Sequence, residues 1–180
     1  MNYTIQTMIS EEEIDKRIRE MGAEISKDYE GKEVCLICIL KGASFFACEL
    51  AKRISVPVTI DFMHASSYGS GTVSSGVVTI DKDVTLSIEG KNVILIEDIV
   101  DTGRTLASLK EVLKEKGANS IKIASLLDKP ERRVTELTPD YVGFVVPNEF
   151  VVGYGLDYDQ RHRNLPYIGT VCFEEGKEEG

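Results

Sequence analysis

Two adjacent acids and a turn of small residues, only two apolar positions apart, carry the chemistry legible in this 180-residue chain. The stretch is Val93-Ile94-Leu95-Ile96-Glu97-Asp98-Ile99-Val100-Asp101-Thr102-Gly103-Arg104-Thr105-Leu106. Its apolar, β-branched start reads as a buried parallel strand. Asp-Thr-Gly-Arg-Thr then offers backbone N–H groups where an amphipathic segment begins, the setting of an anion site at a helix start. Glu97 and Asp98 close the strand at its C-terminal end, the edge on which open α/β sheets bind ligands. Carboxylates accept bonds from hydroxyls. The expected ligand therefore carries both hydroxyls and phosphate, as a ribose 5-phosphate does. The pattern G-x-x-x-x-G-K-[ST] is absent, which excludes a Walker loop. Asp-Thr-Gly also occurs in aspartic proteases, but there in two copies and an all-β setting.

The elements that must hold this stretch can be read along the chain. Ser10 followed by Glu11-Glu12-Glu13 is a helix start, and Ile14, Ile18, Met21 and Ile25 continue at helical spacing, so a helix is predicted over 11–29. A strand follows at 33–39, then a helix capped by Ser44 and running to about Arg53. Pro57 opens a strand to Met63. Residues 65–76 are polar and glycine-rich and read as a mobile loop. Val77–Asp81 and Val84–Ile88 read as a strand pair. Strand 92–98 leads to a helix at 103–116, with Leu106, Leu109, Val112 and Leu113 on one face and Gly117 at its end. Further strands are expected at 120–127, 141–146, 151–154 and 167–173. Alternating strands and helices predict a mostly parallel sheet flanked by helices on both faces.

The bulk properties limit function. A length of 180 residues suits one domain over 1–173, with 174–180 an acidic, disordered tail. The net charge of −9 argues against nucleic-acid binding, which runs on Lys and Arg. An acidic protein that binds phosphates needs local cations and a divalent metal. No apolar run reaches the ~20 residues of a membrane span. The start, Met1-Asn2-Tyr3-Thr4, lacks a secretory pattern, so the cytoplasm is the expected location. Cys35 and Cys38 form a C-x-x-C, but three residues apart on a strand they point to opposite faces and read as core thiols.

The 93–106 stretch resembles the diphosphoribose-binding motif of the type I phosphoribosyltransferases, two acids before Asp-x-Gly-x-Thr after an apolar strand. The resemblance extends over residues 5–173. Leu40-Lys41-Gly42, Ser66-Ser67-Tyr68-Gly69, Lys129, the run Pro147-Asn148-Glu149-Phe150-Val151-Val152-Gly153-Tyr154-Gly155-Leu156-Asp157, and Arg163 occur in the family's order. Together they are similar to the bacterial hypoxanthine-guanine branch. That resemblance implies an α/β type I phosphoribosyltransferase fold with a small hood subdomain and a flexible lid loop containing Ser67 and Tyr68. It also implies an enzyme of purine salvage. The reaction would be Mg2+-dependent phosphoribosyl transfer from phosphoribosyl pyrophosphate (PRPP) to N9 of hypoxanthine or guanine, giving IMP or GMP and pyrophosphate. A homodimer or homotetramer is implied, and a xanthine-preferring enzyme or a PRPP-binding regulator are the alternatives.

By the same resemblance, Glu97 and Asp98 would hold the ribose hydroxyls, directly or through Mg2+. The loop Asp101, Thr102, Gly103, Arg104 and Thr105 would hold the 5-phosphate, with Arg104 at a variable position. Asp101 would be the general base near purine N7; a simple helix cap is the plainer reading of it. Lys129 would meet the purine 6-oxygen, although alone it reads as an exposed lysine before Pro130. Phe150 would stack on the base. Val151 and Asp157 would present carbonyls to the 2-position, and Asp157 would also serve a second Mg2+ site. Lys41 and Gly42, after a cis non-proline bond, and Arg163 would take pyrophosphate. His64 and His162 receive no role.

Overall fold

A computed structural model of the chain describes residues 2–67 and 78–173. The elements are β1 Tyr3–Ile9, α1 Glu11–Asp28, β2 Val34–Ile39, α2 Ser44–Ala51, β3 Val58–Ser67, β4 Val78–Lys82, β5 Asn92–Val100, α3 Arg104–Glu115, β6 Ser120–Asp128, β7 Tyr141–Val145, β8 Val151–Val152 and β9 Ile168–Phe173. A 3-10 turn covers Pro130–Arg132. Six strands form one sheet in the order β4-β3-β2-β5-β6-β7, and three form a second in the order β1-β9-β8. Within the large sheet every pairing is parallel except β3 with β4.

Local sequence explains the helices. Ser10 and Glu13 form a reciprocal capping box, with Ser10 Oγ accepting from the Glu13 amide at 3.2 Å and Glu13 Oε2 from the Ser10 amide at 2.8 Å. Ile14, Ile18, Met21 and Ile25 are all buried, as their spacing requires. Strand β2 alternates its side chains between two cores. Val34, Leu36 and Cys38 join α1 and α2 on one face. Cys35, Ile37 and Ile39 join Leu106, Leu109 and Leu113 of α3 on the other. The two cysteines therefore lie on opposite sides of the sheet, unbonded and buried, and burial pushes the Cys38 thiol up to about 12.

Several expectations need correction. Strand β1 is not apparent from the sequence; it exists through antiparallel pairing with β9, some 170 residues away, from Tyr3↔Phe173 onward. Strand β3 runs on to Ser67, because Ala65, Ser66 and Ser67 pair with Ile80, Thr79 and Val78; a backbone ladder tolerates the small polar side chains that read as loop. The rest of the expected lid, with Tyr68, and the tail 174–180 lie outside the described residues. Ser44 does not cap α2. Ala43 is the cap residue, and Ser44 Oγ instead donates to the Lys41 carbonyl at 2.7 Å.

Val84–Ile88 is not a strand. Asp61, on β3 and 4% exposed, takes the amides of Thr85 (2.6 Å) and Leu86 (2.8 Å) as well as that of Phe62 (2.8 Å). Those amides are thus held by a side chain instead of a ladder. Burial alone would raise the Asp61 carboxyl, but these donors outweigh it and hold the group below the usual carboxylate range. A depressed acid stabilises the fold above its unfolded value of ~4 and loses that contribution as pH falls toward the folded value. Asp61→Ala is expected to cost about 2–4 kcal/mol at pH 7, since it removes the shared acceptor of three backbone amides. Urea unfolding at pH 7 and pH 3.5 checks this, with a smaller difference expected at the lower pH.

Candidate active site

The large sheet reverses its winding between β2 and β5. From β2 the chain crosses through α2 to β3 on one side, whereas β5, β6 and β7 follow on the other. At such a switch point the two connections leave in opposite directions and open a crevice at the carboxyl ends of the strands. After β2 come Leu40, Lys41 and Gly42, and the Leu40–Lys41 peptide bond is cis. After β5 comes the turn into α3. Between them lies a cleft of about 340 Å3, lined by Lys41, Gly42, Glu97, Asp98, Asp101, Thr102, Gly103 and Thr105, with Asp157 and Arg163 closing it from the smaller sheet's side.

The floor is acidic. Burial and the neighbouring Asp98 charge raise the Glu97 carboxyl well above its usual range. Burial also raises Asp98, and the Arg163 charge acts in the opposite direction. Beside them the chain enters α3 through Gly103, which sits at φ +82° and supplies no side-chain cap. Asp101 is therefore not a helix cap. Its carboxylate instead accepts from Arg132 Nε at 2.5 Å. Thr105 lines the cleft in the first turn of α3, and the exposed Arg104 is that helix's first residue.

Opposite this loop, Arg163 pairs with Asp157 Oδ1 at 2.9 Å and donates to the Gly155 carbonyl at 2.7 Å. Gln160 joins the two cations of the cleft. Its Oε1 accepts from Arg163 at 3.1 Å and from Lys41 Nζ at 3.4 Å, while its backbone N–H donates to Asp157 Oδ2 at 2.8 Å. Lys129, Phe150 and Val151 do not line the cleft but stand beside it. The Lys129 amide donates to the Val100 carbonyl at 2.9 Å, and its ammonium donates to the Glu149 carbonyl at 2.5 Å. Lys129 is 9% exposed; burial lowers its pKa and the Asp101 charge opposes that. Phe150 is exposed and meets Tyr158 edge-on at 5.5 Å, whereas Val151 is buried.

The model of the phosphoribosyl transferase domain matches residues 6–159. The chain belongs to the phosphoribosyltransferase family. Among its relatives, the hypoxanthine-guanine phosphoribosyltransferase of Streptococcus thermophilus is 54% identical over 164 residues, 91% of each chain. The bifunctional protein TilS/HprT of Listeria monocytogenes is also 54% identical, over 95% of this chain; the chain spans only 26% of that longer protein. A crystal structure of a Bacillus anthracis hypoxanthine-guanine phosphoribosyltransferase superposes with a TM-score of 0.90 at 44% identity, covering 96% of this chain and all of the other. The fold is that of the type I phosphoribosyltransferases, as the sequence implied.

At the cleft two backbones and the Asp98 carboxylate converge with no room for a further side chain. A Cβ on Gly42 would stand 1.7 Å from Asp98 Oδ2, and one on Gly155 would stand 1.9 Å from the Gly42 carbonyl. The Lys41 loop, the acid pair and the Asp157–Arg163 turn are thereby fixed against one another. Among the described residues no three His, Cys, Asp or Glu converge on one point to hold a metal. The donors present suit Mg2+ nonetheless, because that ion commonly takes one or two carboxylates and completes its shell with water and substrate phosphates. Sequence reasoning did not find Gln160, Arg132 or Arg133. Their contacts to Lys41 and Asp101 come from distant parts of the chain, and no local pattern marks them.

The raised acid pair has a consequence for stability. A carboxyl raised by folding keeps its proton through a pH range in which the unfolded chain has lost it. Stability from this source is therefore fullest below the unfolded value of ~4 and falls as pH rises toward the folded value. Glu97→Gln is expected to raise the melting temperature of the metal-free protein at pH 8 by at least about 2–4 °C, the shift that about 1 kcal/mol produces in a domain of this size. Calorimetry with a chelator at pH 8 and pH 4 checks this; the gain should vanish at pH 4.

Proposed function

We propose that this chain transfers the phosphoribosyl group of PRPP to N9 of hypoxanthine or guanine, forming IMP or GMP and pyrophosphate in purine salvage. The observation that carries the reading is the meeting of an acid pair, a helix-start loop and two cations in one cleft. Each part matches one part of PRPP. Glu97 and Asp98 bind the ribose 2- and 3-hydroxyls, directly or through Mg2+. The amides of residues 101–105 and the hydroxyls of Thr102 and Thr105 bind the 5-phosphate, with Arg104 as an added cation. Lys41 and Arg163, beside Gly42, bind the pyrophosphate. Mg2+, when bound, neutralises charge on that leaving group, with Glu97, Asp98 and, at a second site, Asp157 as its protein donors.

The purine lies on the other side of the anomeric carbon. Phe150 stacks on the ring, the carbonyls of Val151 and Asp157 meet its 2-position, and the Lys129 ammonium donates to its 6-oxygen. As the pyrophosphate bond breaks, positive charge grows on the ribose and then on the purine, whose N9 forms the new bond. Asp101 faces N7 and accepts its proton. Residues 1–173 act as one catalytic unit, and the family likeness favours a cytoplasmic homodimer or homotetramer. No helix among the described residues is long and apolar enough to cross a membrane.

Two experiments test the reading. Asp101→Asn is expected to leave PRPP binding largely intact and lower kcat by about 10²–10⁴, the usual worth of acid–base assistance; a near-normal kcat would remove Asp101 from the mechanism. The second measures kcat/KM with PRPP, Mg2+ and four bases. Lysine can only donate, so adenine brings its amino group against Lys129 and should react at least ~10⁴-fold more slowly. Hypoxanthine and guanine should be good substrates. Xanthine, which points an oxygen at the carbonyls of Val151 and Asp157, should be poor; if it outranks hypoxanthine, the enzyme prefers xanthine.

A further inference from the structure

We infer that Arg133 is the positioning residue of the 5-phosphate loop, fixing the backbone of Asp101 and Thr102 so that the amides after them face the cleft. The inference rests on the proposed reading of that loop. Residues 129–135 lie behind it and take three successive carbonyls. The Lys129 amide donates to Val100 at 2.9 Å, Arg133 Nε to Asp101 at 3.1 Å, and the Val134 amide to Thr102 at 3.1 Å, joined by Thr135 Oγ1 at 3.4 Å. The peptide units here are trans, so each carbonyl and the following N–H point in opposite directions. Carbonyls drawn backward to Arg133 and Val134 leave the amides of Thr102 and Gly103 directed forward.

Arg133 is the side chain of this brace that joins the Asp101 carbonyl to the end of β6. Its guanidinium also donates to the Leu137 carbonyl and pairs with the Asp128 carboxylate. Both partners of that pair are nearly buried, with side chains 12% and 10% exposed. The contact is close: a Cβ on Gly103 would stand 2.9 Å from Arg133 Cδ and 2.4 Å from Thr135 Oγ1. Asp128 ends β6, whereas Asp101 follows β5. The arginine therefore bolts the loop to the neighbouring strand, with its planar fork serving carbonyls and a carboxylate at once. Lysine keeps the charge but cannot hold that many acceptors in fixed directions.

The test is steady-state kinetics of the full chain with Mg2+, varying PRPP and hypoxanthine separately, for wild type, Arg133→Lys and Thr135→Val. Melting temperatures are recorded alongside. In Arg133→Lys the KM for PRPP should rise about tenfold or more, the worth of one or two hydrogen bonds, while kcat and the KM for hypoxanthine stay within about threefold. Thr135→Val should show the same split at about threefold for PRPP, and it decides the matter if Arg133→Lys does not fold. An unchanged KM for PRPP in the folded variants, or equal rises in both KM values, would overturn the inference alone. A wild type that makes no IMP from PRPP would overturn the functional reading beneath it.

Discussion

Two carboxylates side by side on the floor of a cleft that also holds two cations and a helix start impose the constraint around which the rest of this structure is arranged. Glu97 and Asp98 repel each other, are short of water, and line the cleft proposed to take the phosphates of PRPP. Such a floor is tolerable only if positive charge and N–H dipoles are supplied locally, because a chain of net charge −9 offers no favourable background field. The fold supplies both at one edge. Strand β5 ends where the sheet reverses, which leaves a crevice there. Helix α3 starts six residues after Asp98, and its first turn borders the same cleft. Lys41 comes from the end of β2, and Arg163 comes from the turn before β9. The glycines at 42 and 155 let these segments approach to within atomic contact.

How far the sequence revealed this follows from the range of each interaction. The segment from Val93 to Thr105 is legible because strand, acids, turn and helix start are consecutive, and their roles in the architecture depend on neighbours a few residues away. The Ser10–Glu13 cap and the burial of Ile14, Ile18, Met21 and Ile25 are local in the same sense. The opposite faces of Cys35 and Cys38 follow from strand geometry alone. Strand β1 and the end of β3 are decided by backbone partners supplied elsewhere in the chain, so their own side chains say little. Thr85 and Leu86 look strand-like by composition, yet one buried carboxylate on β3 claims their amides. In the cleft, the residues carrying family motifs could be named in advance. Gln160, Arg132 and Arg133 could not, because what distinguishes them is the identity of atoms 31 to 119 positions away, such as Arg132 to Asp101 and Gln160 to Lys41.

The segment 129–135 joins the two halves of the site. It begins with the lysine proposed to read the purine and continues into the brace behind the phosphate loop, and the Lys129 amide is itself bonded to Val100. A displacement of β6 relative to β5 would move both together. The distance between the proposed base and ribose phosphate sites is thus set by one short stretch of chain, anchored at Asp128 by a nearly buried ion pair.

The polar groups in and beside the cleft are also not waiting empty-handed. Asp101 holds Arg132, Lys129 holds the Glu149 carbonyl, and Arg163 holds Asp157. Each incoming ligand must therefore trade one hydrogen bond for another, and only the difference between the two contributes to affinity. Such exchange makes weak net binding compatible with sharp discrimination. On the proposed role of Lys129, a base unable to offer it a better acceptor than the Glu149 carbonyl leaves that bond closed, and so meets a site still folded upon itself.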